Sequence, residues 1–584
     1  MEGVERVYFD TETDGLDWKR NHVVGYAVGI ERGVYIEGYY FPIRHAGGGN
    51  VEDPARVIEW IKDWAKEPTL SVVGHNLKFD LHFAANDGIE FAGPLEDTMV
   101  NQALINENMG SYSLDEVSKY YRLNLPKKGD ELYAEMARRF GGAPTRYKQM
   151  ENFHKMPGDH PLVVDYVLAD VNATAGAHRA QQRHLDTEDL RRVQAVENRV
   201  IRTLFRMERR GVYVSVEAAR TARAALEFEA TKARALLPDG LNVKSPKQLQ
   251  KWLSEKGVSG WPRTDKGNDS FPEVWLKTTE PGRIIVRARK TERIISAFLD
   301  PLMNEHLFHG RVHPTFNQLR QDDYGTVSGR LSASDPNLQQ VPKRDRDLAK
   351  LFRSVFFPPP GHLWAANDYT QQEFRVFAHY SKSPLLIAGY SATPPLDIHT
   401  QVATLLDVPR DPTAKTMNLG MLYGMGAKKL AAQLGTDEAT AAGLRSQWDR
   451  LLPEGREFLN LADSVAKRRG YVKTYLGRRR RFPDPRETYK AGNSVIQGSS
   501  ADITKAKMVE IDDLFVRENA RSQLFLQVHD ELDWSIAPGE EELHAKALAI
   551  MQDFGPDSTM PFLVPITAES KLGANWREAT FGKE

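Results

Sequence analysis

The 584-residue sequence contains no cysteine, which excludes disulfide staples and thiolate zinc sites and fits a reducing compartment. Its first residues, Met1 to Arg6, lack the basic and apolar regions of a secretory signal. No apolar run approaches the ~18 residues that a membrane helix needs. An excess of charge is lacking too: 78 basic and 79 acidic residues leave a net charge of −1, so a polyanion could be held only by local clusters. No G-x-x-x-x-G-K-[ST] stretch occurs, which removes the P-loop as a route to nucleotide binding. Internal repeats and low-complexity tracts are also missing. What is there is ordinary for a globular chain, 41% hydrophobic and 27% charged, long enough for on the order of three to five domains.

Patterning divides the chain. Val4–Phe9, Val23–Ile30 and Val34–Tyr40 alternate as strands. Helical spacing follows over Ala55–Lys66 and Asp80–Asn86, with a short strand at Leu70–Val73 and a helix from Pro161 to about Asp186. This order predicts a mixed sheet with helices packed on it. From Glu188 to about Asp300 the pattern is mostly helical, with long charged helices at Arg191–Arg210 and Glu217–Leu237 and an exposed loop at Ser259–Gly282. Arg283, Arg287, Lys290 and Arg293 then recur on one side of a helix with few acids among their sequence neighbours, Glu292 being one. That stripe reads either as a solvated face or as a phosphate track. Residues 311–357 read as irregular with short strands, 385–480 as helical, and the last hundred as helices with an apolar hairpin.

Acidic residues recur at chemically useful spacings. Asp10 and Glu12 end a strand two apart, which puts both carboxylates on one face. Asp80 starts a helix, and Tyr166 and Asp170 stand one turn apart on another. Four acids and a phenol suit phosphodiester hydrolysis with two metals ~3.5–4 Å apart. Near the middle, the apolar run Leu363–Ala366 leads to one carboxylate, Asp368, which reads as a metal ligand at a strand tip or as a cap for the next helix. His529-Asp530-Glu531 sits between two apolar strands, as an ordinary turn or as a rigid carboxylate site that pairs with Asp368. Between them, Asp411 and Pro412 read as the N-cap and first residue of a helix. That helix offers Lys415, Leu419 and Tyr423 on one face, which suits a triphosphate, a sugar and a base or, equally, a core helix with a snorkelling lysine.

The N-terminal segment resembles the DnaQ-like, tyrosine-containing 3′–5′ exonucleases, through F-D-T-E-T-D at Phe9–Asp14, N-L-K-F-D at Asn76–Asp80 and Y-x-x-x-D at Tyr166–Asp170. The remainder resembles family A, polymerase-I-like DNA polymerases. The matching stretches are T-V-S-G-R-L-S at Thr326–Ser332, D-P-N-L-Q-Q-V-P at Asp335–Pro342, D-I-H at Asp397–His399, L-G-R-R-R-R-F-P-D at Leu476–Asp484 and N-S-V-I-Q-G-S-S-A-D at Asn493–Asp502. They stand with the Asp368 strand, the Lys415 helix and the His529 hairpin in the family's order. The resemblance implies an α/β (α+β) multidomain fold, in which an RNase H-like exonuclease domain (1–187) precedes a right-hand polymerase. The hand would comprise thumb 188–310, palm 311–384, fingers 385–484 and a second palm segment 485–584.

The same resemblance implies roles. Asp10, Glu12, Asp80 and Asp170 would hold exonuclease metals beside Tyr166. Asp368, Tyr369 and Asp530 would hold polymerase metals, two magnesium ions per active site with manganese as a substitute. Glu531 would assist near the primer end, and Lys415 would contact the phosphates and protonate pyrophosphate. Tyr423 would stack near the template base, and Glu373 would be the steric gate against a ribose hydroxyl. Arg330, Asn337, Gln339, Asn493, Gln497 and His529 would touch the primer–template, His529 lying also at the nucleotide. Arg283, Arg287 and Lys290 would track its backbone. Two departures from the family pattern stand out: Asp411 where an arginine usually binds the outer phosphate, with Arg410 as its substitute, and Leu419 where an aromatic ring is usual. The implied partners are primer–template DNA, dNTPs and replication accessory proteins such as a helicase and a single-strand binding protein. A chain that begins at the exonuclease segment reads either as the replicative enzyme of a phage or as an excised large fragment of a cellular relative; the expectation is a monomer with no membrane role, in the cytoplasm of the host if phage-encoded. Two other readings are a 3′–5′ exonuclease whose C-terminal region only binds DNA, and a structural nucleic-acid-binding protein.

Overall fold

The computed structural model describes residues 3–583 apart from 34, 124–128, 265, 320–325, 342 and 344. Val34 of the third expected strand and Pro342 of the Asp335–Pro342 stretch therefore lie outside the described residues.

The N-terminal unit is the expected mixed sheet. Strands β1 (Arg6–Thr13), β2 (Val23–Arg32), β3 (Tyr35–Pro42), β4 (Ser71–Gly74) and β5 (Leu95–Asp97) take the order β3-β2-β1-β4-β5. The first three are antiparallel, and β1, β4 and β5 are parallel. Alternation on β1 sorts its side chains. Val7 and Phe9 pack with Ile61 and Trp64 of helix α1 (Pro54–Ala65) and with Leu77 and Leu81 of α2 (Leu77–Asn86). Tyr8 packs with Val163, Val167 and Val171 of α3 (Pro161–Thr187) on the other face. Both faces are covered, so the acids at the end of β1 are enclosed between sheet and α3.

Helix α4 (Arg191–Arg210) joins the unit to the rest of the chain. It lies against α2 and against α9 (Ala491–Arg517), a position between the halves that its place in the expected thumb did not foretell. Ion pairs pin it on both sides. Glu208, 3% exposed, bonds His82 of α2 at 2.7 Å and pairs with Lys78. Arg206 and Arg210 each reach Asp512 of α9 at 2.9 Å. Buried charges are tolerated only when paired like this, because an unpaired one would cost several kcal/mol.

Helices α5 (Val216–Ala235) and α6 (Glu280–Ile294) pack together. Two expectations for this region need correction, and two for the segments that follow it. The Ser259–Gly282 stretch is more than an exposed loop: it contains a helical turn, Glu273–Leu276, whose Leu276 is buried with Phe271 against Trp252, and α6 already includes Gly282. The middle of the basic stripe on α6 is balanced: Arg287 pairs with Glu229 (2.7 Å) and Asp345 (3.5 Å), and Lys290 with Glu273 (2.8 Å) and Asp345 (3.4 Å). Glu292 binds Arg234 instead. These acids come from other elements, out of reach of a reading by sequence neighbours. Residues 311–357 also hold a helix, Arg346–Arg353, and the helical 385–480 region ends in paired strands, Tyr471–Lys473 and Arg479–Arg481.

The C-terminal sheet positions the second set of acids. Strands β6 (Leu363–Tyr369), β7 (Leu524–Val528), β8 (Glu531–Ile536) and β9 (Ala568–Gly573) take the order β7-β8-β6-β9, all antiparallel. Trp364 of β6 is fully buried, stacked on Trp576 with ring centroids 5.5 Å apart and edge-on to Phe525 at 4.6 Å. Large rings buried this way hold the strand in register. No helix among the described residues is long and apolar enough to cross a membrane.

Candidate active site

At the N-terminal unit, the geometry follows from strand period and helix pitch. Asp10 and Glu12 face α3, where Asp170 meets them one turn beyond Tyr166. Among the described residues, the carboxylate oxygens of Asp10, Glu12 and Asp170 lie within 4.8 Å of one another. Asp80, in the first turn of α2, is 2% exposed and accepts the Thr11 N–H (2.9 Å) and hydroxyl (2.6 Å) at one oxygen, Oδ1. It sits beside the triad, held on the residue between Asp10 and Glu12. Asp97 accepts from the Asn76 and Leu77 N–H groups at 3.0 and 2.8 Å, which fixes the start of α2.

Such crowding of acids disfavours full ionisation. Burial pushes Asp10 up to about 6, and burial with the neighbouring Asp10 pushes Asp170 up to about 8. Burial, then Asp10 and Asp170, raise Glu12 well above the carboxylate range; burial and Asp10 do the same to Asp80. Carboxylates packed this closely and held this rigidly form an oxygen donor set that suits a hard divalent cation. Arg146, unremarked in the sequence reading, is the cation that faces Asp10, Glu12, Tyr166 and Asp170. It begins a helical turn, Arg146–Gln149, anchored by buried Gln149.

At the second sheet, Asp368 lies opposite Glu531 across the β6–β8 pair, and Asp530 sits in the turn between β7 and β8. The Tyr369 N–H donates to the Asp530 carbonyl at 3.3 Å and ties the tips together. Helix α7 (Gln372–Ser381) is capped at Gln371 and not by Asp368, so the helix-cap alternative falls. His529 takes φ +62 in the turn. Burial and then Asp368 push Asp530 up to about 7. Asp368 is itself raised by burial, opposed by Lys343 and reinforced by Glu531. Among the described residues, buried Glu531 Oε1 and the buried Tyr369 hydroxyl have no hydrogen-bond partner. Clustered carboxylates with an orphaned oxygen again fit a cation.

The remaining residues split into those gathered here and those engaged elsewhere. Glu373 of α7 accepts the Tyr423 hydroxyl at 2.6 Å and pairs with Arg330, and Gln497 of α9 faces the same phenol. Lys415 opens helix α8 (Lys415–Leu422) and is exposed, Leu419 is half-buried one turn later, and Tyr423 caps the end. Asp411 has the extended backbone of a cap, φ −118 and ψ 129, ahead of Pro412 and the helical turns, and its carboxylate pairs with Arg410. Arg410 also binds Asp397 at 2.7 Å, so two acids already share its charge. Gln339 is held by Gln527 at 2.7 Å, and Asn337 uses its carbonyl oxygen to accept from the Gln339 and Gln340 N–H groups. Asn493 lies in the first turn of α9, its Oδ1 buried without a hydrogen-bond partner among the described residues. Arg283 donates to the Lys277 carbonyl, well apart from the strand tips in sequence and on a different element.

One residue absent from the sequence reading is in direct contact with the acids. Lys343 places its ammonium 3.3 Å from Asp368 Oδ2 and 2.9 Å from Glu531 Oε2. It follows directly on the Asp335–Pro342 stretch, but only the folded chain shows where it points.

Comparison with known proteins agrees with both halves. The family model for DNA polymerase family A matches residues 215–578, and that for a 3′–5′ exonuclease matches residues 1–139. The Tyr166–Asp170 pair lies beyond the second match, and α3 brings it to the site. A protein named DNA polymerase DpoZ from Acinetobacter phage SH-Ab 15497 is 32% identical, covering 99% of this chain and 98% of its own. A DNA-directed DNA polymerase from Pseudomonas phage M6 is 30% identical over 98% of this chain and 94% of its own. The solved structure of the POL domain of Pol1 from M. smegmatis, in complex with DNA primer-template and dNTP, superposes with a TM-score of 0.80 at 25% identity, over 99% of this chain and 96% of that one.

Proposed function

The chain belongs to DNA polymerase family A and carries a 3′–5′ exonuclease domain, and on that premise we propose that it extends primers at the Asp368–Asp530 strand tips and edits them at the Asp10–Glu12–Asp170 cluster. The observation that carries this reading is the β6–β8 register, which sets Asp368 against Glu531 with Asp530 in the adjoining turn. A second such cluster encloses Asp10, Glu12 and Asp170.

Asp368, Asp530 and the main-chain carbonyl of Tyr369 would hold two divalent cations, magnesium with manganese as a substitute. Asp10, Glu12, Asp80 and Asp170 would hold the exonuclease pair. When bound, such ions favour deprotonation of the attacking hydroxyl or water and offset charge on the leaving oxygen. Lys415, exposed at the start of α8, meets the triphosphate and gives a proton to the departing pyrophosphate. A cation placed where negative charge develops contributes on the order of 2–4 kcal/mol to lowering the barrier. Glu373 fills the space a ribose hydroxyl would need and is braced by Tyr423 and Arg330. Leu419 packs on the sugar, Arg410 takes the outer phosphate by leaving Asp411, and His529 and Glu531 flank the primer end. Tyr166 orients the attacking water or the scissile phosphate in the exonuclease, and Arg146 offsets the phosphate's charge.

Arg330, Asn337, Gln339, Asn493 and Gln497 contact the minor groove, whose acceptors are common to all base pairs, so pair shape is checked without reading sequence. Arg283, Arg287 and Lys290 support the duplex from the thumb, through a surface whose charge is partly neutralised by Glu229, Glu273 and Asp345. On this reading the domain limits are 1–187 for the exonuclease, 188–310 for the thumb, 311–384 and 485–584 for the palm and 385–484 for the fingers. The protein acts as a monomer in the cytoplasm of a phage host, with a helicase and a single-strand binding protein as accessory partners. Primer extension on a recessed template with magnesium and four dNTPs tests the reading: full-length product is expected, and an unextended primer would refute it.

A further inference from the structure

We propose that Lys343 is a built-in counter-ion of the polymerase carboxylates, one that an incoming divalent cation must displace. The inference rests on the reading that Asp368 and Asp530 hold such a cation. The strands bring Asp368, Asp530 and Glu531 together by register alone, and like charges that close repel. Among the described residues, Lys571 acts on Asp368 and Arg330 on Asp530 at longer range, Arg330 being paired with Glu373, and two further cations stand near. Arg353 is buried and already committed, donating to the Thr580 hydroxyl at 2.8 Å and lying over the Trp576 ring at 4.0 Å. Lys343 is the other: its ammonium touches both Asp368 and Glu531, at 3.3 and 2.9 Å.

That ammonium and a metal ion compete for the same oxygens. A magnesium ion sits ~2.0–2.1 Å from its carboxylate ligands, within the space that a nitrogen hydrogen-bonded to those oxygens fills. Lys343 can yield this place. Its side chain is 51% exposed, and its four-carbon stem is flexible, so the ammonium can turn to solvent without moving the backbone. A lysine pair this exposed is weak, so its loss should tighten divalent-ion binding by only about two- to fivefold. In the ion-free protein Lys343 thus tempers repulsion among the acids, and on ion binding it is released beside the primer end.

The test uses the full chain in an Asp10→Ala, Glu12→Ala background, so that only the polymerase centre binds ions. Manganese binding is followed by electron paramagnetic resonance. In parallel, acylation of Lys343 is quantified by peptide mass spectrometry with and without calcium, no nucleotide being present. Expected are a severalfold rise in Lys343 acylation on ion binding and manganese binding about two- to fivefold tighter in Lys343→Met. Acylation that ignores the ion, or a Lys343→Met variant that binds manganese as the parent does, overturns the proposal and leaves the carboxylate reading intact. If Asp368→Asn fails to weaken manganese binding, the carboxylate reading falls and the proposal with it.

Discussion

Asp170 makes the ion-free protein sensitive to pH in a direction opposite to that of ordinary surface carboxylates. Burial and Asp10 hold its folded pKa at about 8, against 3.8 for the free group. A raised folded pKa means that the folded state binds the proton more tightly, so the associated stability is present at low pH and is lost as pH rises through the folded value. The useful window lies between about pH 6.5 and 8, above the range in which histidines such as His75 and His399, both lowered to about 4 by burial, exchange protons with the unfolded chain. The slope approaches about 1.4 kcal/mol per pH unit for one group, so Asp170 alone should destabilise the ion-free exonuclease unit by on the order of 1–2 kcal/mol across that window. Urea unfolding in chelator, followed by the fluorescence of Trp18, Trp60 and Trp64, measures it. The midpoint should fall from pH 6.5 to 8, the fall should shrink in Asp170→Asn, and saturating magnesium should abolish it. A midpoint that rises or stays level with pH, the same in wild type and Asp170→Asn, would refute the reasoning.

Three substitutions test the nucleotide site. Glu373→Ala removes the group that braces Tyr423 and Arg330; steady-state kinetics should show discrimination against ribonucleotides falling by on the order of tenfold to a hundredfold. Leu419→Phe restores a ring to the half-buried platform on α8; kcat/KM for dideoxynucleotides should improve by up to about tenfold, and unchanged kinetics would show that Leu419 does not meet the sugar. Arg410→Ala should raise the dNTP KM severalfold, whereas an unchanged KM would mean that its pairs with Asp397 and Asp411 are purely structural.

Both clusters of acids were legible before folding because each rests on a short-range rule. The two-residue period of a strand fixes Asp10 with Glu12, the four-residue step of a helix fixes Tyr166 with Asp170, and a tight hairpin fixes Asp530. The mixed sheet and the bounds of Arg191–Arg210 were equally plain from periodicity. What the sequence concealed was long-range charge pairing. The stripe on α6 looked free because Glu229, Glu273 and Asp345 lie on other elements. Lys343 and Arg146 gave no signal at all, since basic residues are common on the surface and only tertiary packing aims one at a carboxylate. The place of α4 was hidden for the same reason: Lys78, His82 and Asp512, which pair with it, lie on other elements.

The central claim is that one chain holds two separate catalytic centres, synthesis at Asp368 and Asp530 and editing at Asp10, Glu12 and Asp170. A single gel assay on a labelled primer–template, with and without dNTPs, tests it on two variants. The Asp10→Ala, Glu12→Ala protein should extend the primer and leave it undegraded when dNTPs are withheld. Asp368→Asn should shorten the primer and fail to extend it. If either change abolishes both activities in a protein that remains folded, or if neither activity depends on its assigned acids, the account is wrong.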